Sequence, residues 1–95
     1  MIALEGNRLL VGGSLTMNTV PAFFSEGLQY LNRDKLVLDF SQVEIVDSSA
    51  VSLLLGWLRA AQQNKRELRV ANLPASLVSL AGLYGVTDLL PSQEV

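Results

Sequence analysis

Cysteine and histidine are both absent from this 95-residue chain. Their absence excludes disulfides, ordinary zinc sites, Cys-His and Ser-His-Asp nucleophile pairs, and an imidazole proton shuttle near neutral pH. Carboxylates, hydroxyls and Lys/Arg cations are the whole reactive inventory. Positive charge is scarce too: 7 Lys and Arg stand against 9 Asp and Glu, a net charge of −2, with an isoelectric point near 4.9. Nucleic acid and anionic membranes call for clustered cations that displace counterions, so neither is an expected partner. Long apolar runs are also missing. The longest, Ala50 to Leu58, is broken by Ser52 and Gly56 and soon meets Arg59, which makes it about half a membrane span. Met1 to Glu5 turns acidic at once and has no secretory-signal pattern, so the sequence reads as cytosolic, with no cofactor and with a protein as its partner.

What is present is apolar content, 49% of the residues. A chain of this size can bury roughly 65% of the surface it exposes when unfolded, so residues 1–95 are expected to form one domain with a real core. Ile2 to Glu5 and Arg8 to Gly12 are β-prone runs joined by Gly6-Asn7, a pair suited to a two-residue hairpin turn. Gly12-Gly13-Ser14 ends the hairpin. Asn18 to Pro21 then supplies capping residues and a first-turn proline, and Val20, Phe23, Phe24, Leu28 and Leu31 recur at helical spacing over about 20–31. Lys35 to Phe40 is a continuous apolar run that fits a strand inside a sheet.

Ser41 to Val46 reads as a loop, and Asp47-Ser48-Ser49 as the start of a second helix running to about Asn64. Glu67 to Ala71 is a short strand. Leu77, Val78, Leu80, Ala81 and Tyr84 line a third helix stopped by Gly85, and Val86 to Val95 reads as a tail anchored by Leu89-Leu90. Strands that alternate with helices pair in parallel through right-handed crossovers. The expected architecture is therefore α/β: a mixed four-stranded sheet, N-terminal hairpin then parallel strands, packed by about three helices.

One stretch stands out, Val43 to Leu55, in which an acidic side chain and two adjacent hydroxyls sit where a loop becomes a helix. Helix N-termini offer free N–H groups and a positive dipole end. Ser48 or Ser49 could simply cap that helix, a role worth about 1 kcal/mol. Alternatively, a phosphoryl group on Ser48 would add roughly −1.5 to −2 charges beside Asp47, a sensitive charge switch. The second helix also holds more apolar surface than one stripe needs. Val51, Leu54, Leu55 and Leu58 make a core face, and Leu53 and Trp57 a neighbouring ridge that faces either a partner or another helix.

Other candidates carry less. Gly12, Gly13 and Gly82 lack the Gly-Lys-Ser/Thr of a phosphate loop and read as turn or close-packing positions. Asp39 reads as a cap on the backbone that follows it, and Lys65, Arg66 and Arg69 as a solvated cluster. An enzyme using Asp39 or Asp47 as a base lacks a candidate partner group.

Leu36-Val-Leu-Asp39, Val43-Glu-Ile-Val-Asp-Ser-Ser49, the apolar helix after it and Leu80-Ala-Gly-Leu-Tyr-Gly-Val86 together resemble the STAS domain over nearly the whole chain. The resemblance implies the STAS fold and a non-enzymatic binding role without metal or cofactor. Within the family, anti-sigma factor antagonists carry Gly-Leu-Gly after Asp-Ser-Ser, where this chain has Ala50-Val51-Ser52; in that branch a kinase phosphorylates the first hydroxyl, here Ser48. The stand-alone STAS subunit of the Mla phospholipid-transport ABC complex is the more similar branch. It implies a cytoplasmic protein, peripheral on the inner membrane, that binds the transporter ATPase subunit and through it the permease, in the maintenance of outer-membrane lipid asymmetry. The expected contact residues are Asp47, Ser48, Ser49, Leu53 and Trp57, and an exposed apolar ridge is also compatible with a homodimer.

Overall fold

The computed structural model describes residues 1–93 of the chain. Gly6, at φ +61°, turns β1 (Ile2–Glu5) back antiparallel onto β2 (Arg8–Leu15), a conformation glycine adopts without steric penalty. Parallel pairing then joins β2 to β3 (Lys35–Val46) and β3 to β4 (Glu67–Ala71). The expected mixed four-stranded sheet is thus formed, in chain order, with a two-residue β5 (Ser92–Gln93) added parallel to β4. Helices α1 (Val20–Leu28), α2 (Ser49–Gln63) and α3 (Ala75–Leu83) make the crossovers.

The largest departure from expectation concerns Gly12 to Leu15 and Ser41 to Val46. The first does not end the hairpin and the second is not a loop. They pair with each other as the second halves of β2 and β3, through Gly12↔Gln42 to Leu15↔Val46, with two register shifts. Gly12-Gly13 is a poor strand signal, whereas Val43 to Val46 is rich in β-branched residues, and each segment is held extended by the other's backbone. Glycine permits this: a Cβ on Gly12 would stand 2.8 Å from the Gln42 Cβ, and Gly13 takes φ +92°, as β-bulges often require.

Side chains alternate across a strand, so one face of this sheet holds Leu9 and Val11, then Leu36, Leu38 and Phe40, then Leu68 and Val70. These residues form a single buried cluster with Leu53, Leu54 and Trp57 of α2 and Leu77 of α3, against which Phe23 and Phe24 of α1 pack. All three helices therefore cover the same face. Helix α1 stops at Leu28, short of Leu31, although Leu31 is still buried through the turn that follows.

Helices α2 and α3 end alike. The Arg66 N–H donates to Ala61 O and the Val86 N–H to Ala81 O, closing the left-handed turns at Lys65 (φ +56°) and Gly85 (φ +69°). Gly85 is the predicted stop. In α3, Leu77 and Ala81 are buried, whereas Val78 and Tyr84 face solvent. After it come a 3-10 turn over Thr87–Leu89 and β5. Of the expected tail anchor, Leu90 packs on the core and Leu89 is exposed; residues 94 and 95 lie outside the described residues.

Candidate functional site

Only Asp47 and Ser48 separate the end of β3 from the start of α2. Asp47 is tied down on three sides. Its N–H donates to Leu15 O at 3.1 Å. Its Oδ1 accepts the Ser49 N–H at 2.8 Å and also the Ser49 hydroxyl. Its Oδ2 accepts the Met17 N–H at 2.9 Å. Donation from the Ser49 hydroxyl, then from the Met17 N–H, holds the Asp47 carboxyl below its ordinary range, because hydrogen bonds to the charged form favour it.

The capping role therefore falls to Asp47. Ser48 occupies the N-cap position with a helical backbone (φ −62°, ψ −23°), and its side chain makes no cap hydrogen bond. The reading of Ser48 or Ser49 as the cap is corrected accordingly. The Ser49 hydroxyl is committed to Asp47, while Ser48 is exposed at the helix start.

Beside Ser48 and Ser49 runs an open groove of about 470 Å³. One wall continues along α2 through Val51, Ser52 and Leu55, and the other is formed by Tyr84 and Val86 beyond the end of α3. Hydroxyls lie at one end and apolar carbon further along. Such a groove offers hydrogen bonding together with apolar contact to a protein surface.

Two expected contact residues are not in it. Leu53 is 2% exposed and Trp57 fully buried. The Trp57 indole lies against Gly27 of α1, and its Nε1–H donates to Phe24 O at 3.2 Å. The residues facing the core most directly are Ala50, Leu54, Trp57 and Ala61, all at most 1% exposed. At about 100° per residue, that stripe is rotated roughly a quarter turn from the one predicted. The cause is long-range: α1 presents a glycine where the indole needs room. Leu55 and Leu58, read as core, are the half-exposed pair instead.

The structure thus brings Asp47, Ser48 and Ser49 together and removes Leu53 and Trp57 from the surface. Sequence reasoning missed Ser52, Leu55, Tyr84 and Val86. Ser52 and Leu55 stand four and seven residues after Ser48, so helical spacing alone places them on the same stripe. No local signal brings Tyr84 and Val86 to α2.

Asp39 is the one buried charged residue among those described, 6% exposed. It accepts the Ser41 N–H at 2.9 Å, as its reading as a cap requires, and also Arg8 Nε at 2.8 Å and Asn72 Nδ2 at 3.1 Å. Burial pushes its carboxyl up, but the Arg8 guanidinium and the other donors outweigh this and hold it well below the usual range. The cluster braces β2, β3 and the end of β4. Arg66 pairs with Asp34 and Arg69 with Glu67 at the surface.

No helix among the described residues is long and apolar enough to cross a membrane. A family model described as "Mlab, STAS domain" matches residues 2–91. The anti-sigma-B factor antagonist of Staphylococcus aureus (strain NCTC 8325 / PS 47) is 30% identical over 87 residues, covering 88% of this chain and 80% of that protein. Among solved structures, the anti-sigma factor antagonist SpoIIAA in its unphosphorylated form superposes with a TM-score of 0.73 at 14% identity, over 99% of this chain and 87% of that one. An anti-sigma-factor antagonist (STAS) domain protein from Planctomyces limnophilus gives 0.73 at 15% identity, over 100% and 89%. At such identities the two structures speak for the fold.

Proposed function

The chain belongs to the STAS domain family, and from that membership we propose that it is a non-enzymatic binding subunit. It docks on the nucleotide-binding ATPase subunit of an ABC transporter for phospholipids, on the cytoplasmic side of the inner membrane. The observation that carries this reading is the state of Ser48. Its neighbours Asp47 and Ser49 satisfy each other, leaving an exposed hydroxyl without a capping task beside an apolar groove. A rigid helix start of this kind serves recognition. Docking changes the ATPase only as far as it favours one ATPase conformation over another. The match to the Mlab-described family model favours the transporter branch.

The test is co-purification of this chain with the ATPase subunit from membranes. Ser48→Arg should abolish the complex while the isolated domain keeps its melting temperature. A complex unchanged by Ser48→Arg and by Ser48→Glu overturns the reading.

The relative in Staphylococcus aureus favours a second reading, an anti-sigma factor antagonist switched by phosphorylation of Ser48. Intact mass after incubation with the cognate kinase and ATP separates the two. One added phosphoryl group mapped to Ser48 supports the switch; an unmodified chain overturns it.

A further inference from the structure

The turn that leads into α1 is tightly fixed, yet its largest apolar side chain stands in water. Thr16 O accepts the Thr19 N–H at 2.9 Å and the Val20 N–H at 2.8 Å. The Thr19 hydroxyl donates to Ser14 O at 2.6 Å and accepts the Thr16 N–H at 3.0 Å. Met17 sits at the bend between them, its N–H held by Asp47 Oδ2 at 2.9 Å and its side chain 73% exposed. That side chain is not part of the buried core or of the residues packed against it. The fold therefore uses the Met17 backbone and leaves its thioether on a rigid mount.

One exposed apolar residue would be unremarked on most surfaces. Position gives this one its meaning. Met17 does not line the groove beside Ser48 and lies beyond Asp47 from it, whereas the exposed Tyr84 is a wall of that groove. Ile45, two residues before Asp47, adds another exposed apolar side chain at the same end of β3. Asp47, Ser48 and Ser49 thus form a polar centre with apolar side chains from separate elements around it. Both Asp47 oxygens already accept donors from within the chain, so a partner can close over them without leaving an unpaired acceptor.

Reach decides whether one partner can use these groups together. The hydrogen bond to Asp47 keeps the Met17 Cα within about 12 Å of the Ser48 Cα. A stable protein contact covers about 800 Å² on each partner, a disc roughly 16 Å in radius. A protein centred on Ser48 therefore reaches Met17 as well.

We propose that Met17 is a second anchor for the protein that docks on Ser48, its thioether buried in an apolar recess of the ATPase subunit. The inference rests on the reading of Ser48 as the centre of that contact. It extends the contact past the groove, onto the turn before α1, and gives the partner an apolar recess there. Methionine suits the role, being unbranched, polarizable and enriched at interfaces.

The test measures the affinity of the full chain for the ATPase subunit, with Ser48→Arg as reference. Met17→Gln keeps the length of the side chain and makes it polar, and should weaken the complex about fivefold or more. Met17→Leu keeps it apolar and should stay within about twofold. Both should melt like the parent, because this side chain is outside the core. Wild-type affinity of Met17→Gln, while Ser48→Arg abolishes the complex, overturns the anchor and leaves the proposed function standing. Equal losses from Met17→Gln and Met17→Leu overturn the apolar recess in the same way. A parent chain that forms no complex with the ATPase subunit, or one indifferent to Ser48→Arg, overturns both readings.

Discussion

Asp47 joins two segments thirty residues apart, its Oδ2 taking the Met17 N–H at 2.9 Å, while its Oδ1 serves Ser49 at the first turn of α2. One carboxylate therefore fixes the loop before α1 and caps the next helix.

Alanine substitution should rank these neighbours. Asp47→Ala loses a cap and a cross-chain bond and should cost about 1–2 kcal/mol. Ser49→Ala should cost about 0.5–1 kcal/mol. Ser48→Ala, which removes no cap bond, should stay within about 0.5 kcal/mol. Urea denaturation of the three variants checks this; an equal cost at Ser48 and Asp47 refutes the assignment of the cap.

Two glycines between α1 and α2 should respond differently to alanine. A Cβ on Gly27 would stand 2.6 Å from the Trp57 Nε1 and would overlap ring carbons of the buried indole. Overpacking of this kind typically costs about 1–3 kcal/mol, and Gly27→Ala should lose about 2 kcal/mol despite better helix propensity. At Gly56 the nearest atom is Phe24 Cε1, at 2.9 Å, the outer edge of a half-buried ring rather than backbone. There the helix-propensity gain of about 0.8–1 kcal/mol offsets the crowding, and Gly56→Ala should be neutral within about 1 kcal/mol. Equal losses in denaturation would contradict the packing described.

How far the fold could be read ahead of the structure follows from the range of each interaction. Gly6, Pro21 and Gly85 act within a few residues, and the hairpin, the first helix and the end of the third were legible from them. The second halves of β2 and β3 were not, because Gly12-Gly13 and Ser41-Gln42 become strand only through each other. At the site, Asp47, Ser48 and Ser49 were legible as a helix start. The facing of Trp57 was not. Helical periodicity gives relative angles between residues, whereas the absolute rotation of α2 is set by Gly27, thirty residues away.

Acid should weaken the fold in a defined direction. The Asp39 and Asp47 carboxyls are both depressed from an ordinary value of 3.8. Their contribution is fully present above that value and is lost as the pH falls through the lower folded-state values. Thermal melts should be flat from neutral pH to about pH 4 and decline below it. Asp39→Asn, which replaces a buried carboxylate that accepts from Arg8, Ser41 and Asn72 by a neutral amide, should cost about 2 kcal/mol at pH 7 and flatten the acid limb. An acid limb of unchanged slope in that variant would rule out Asp39 as its source.

Lys65 and Asn72 share left-handed backbone, at φ +56° and +58°, yet glycine should act oppositely at the two. Lys65→Gly relieves about 1–2 kcal/mol of strain against about 0.5–1 kcal/mol of added chain entropy, for a gain of about 0.5 kcal/mol and about 2–4 °C. Asn72→Gly loses the 3.1 Å bond to Asp39 and should lower the melting temperature. A gain at Asn72 would show that this bond contributes nothing.

Strand β3 lies at the centre of the sheet and hands over to α2 after two residues. Ser48 is therefore mounted on a two-residue connection between the central strand and α2 rather than on a long loop. Little ordering entropy remains to be lost when a partner arrives, so association should resemble the docking of rigid bodies. The same mounting denies the segment any slack. A new charge or a bulkier group at position 48 should therefore act mainly on a partner docked there as proposed, with little change to the fold of the free chain.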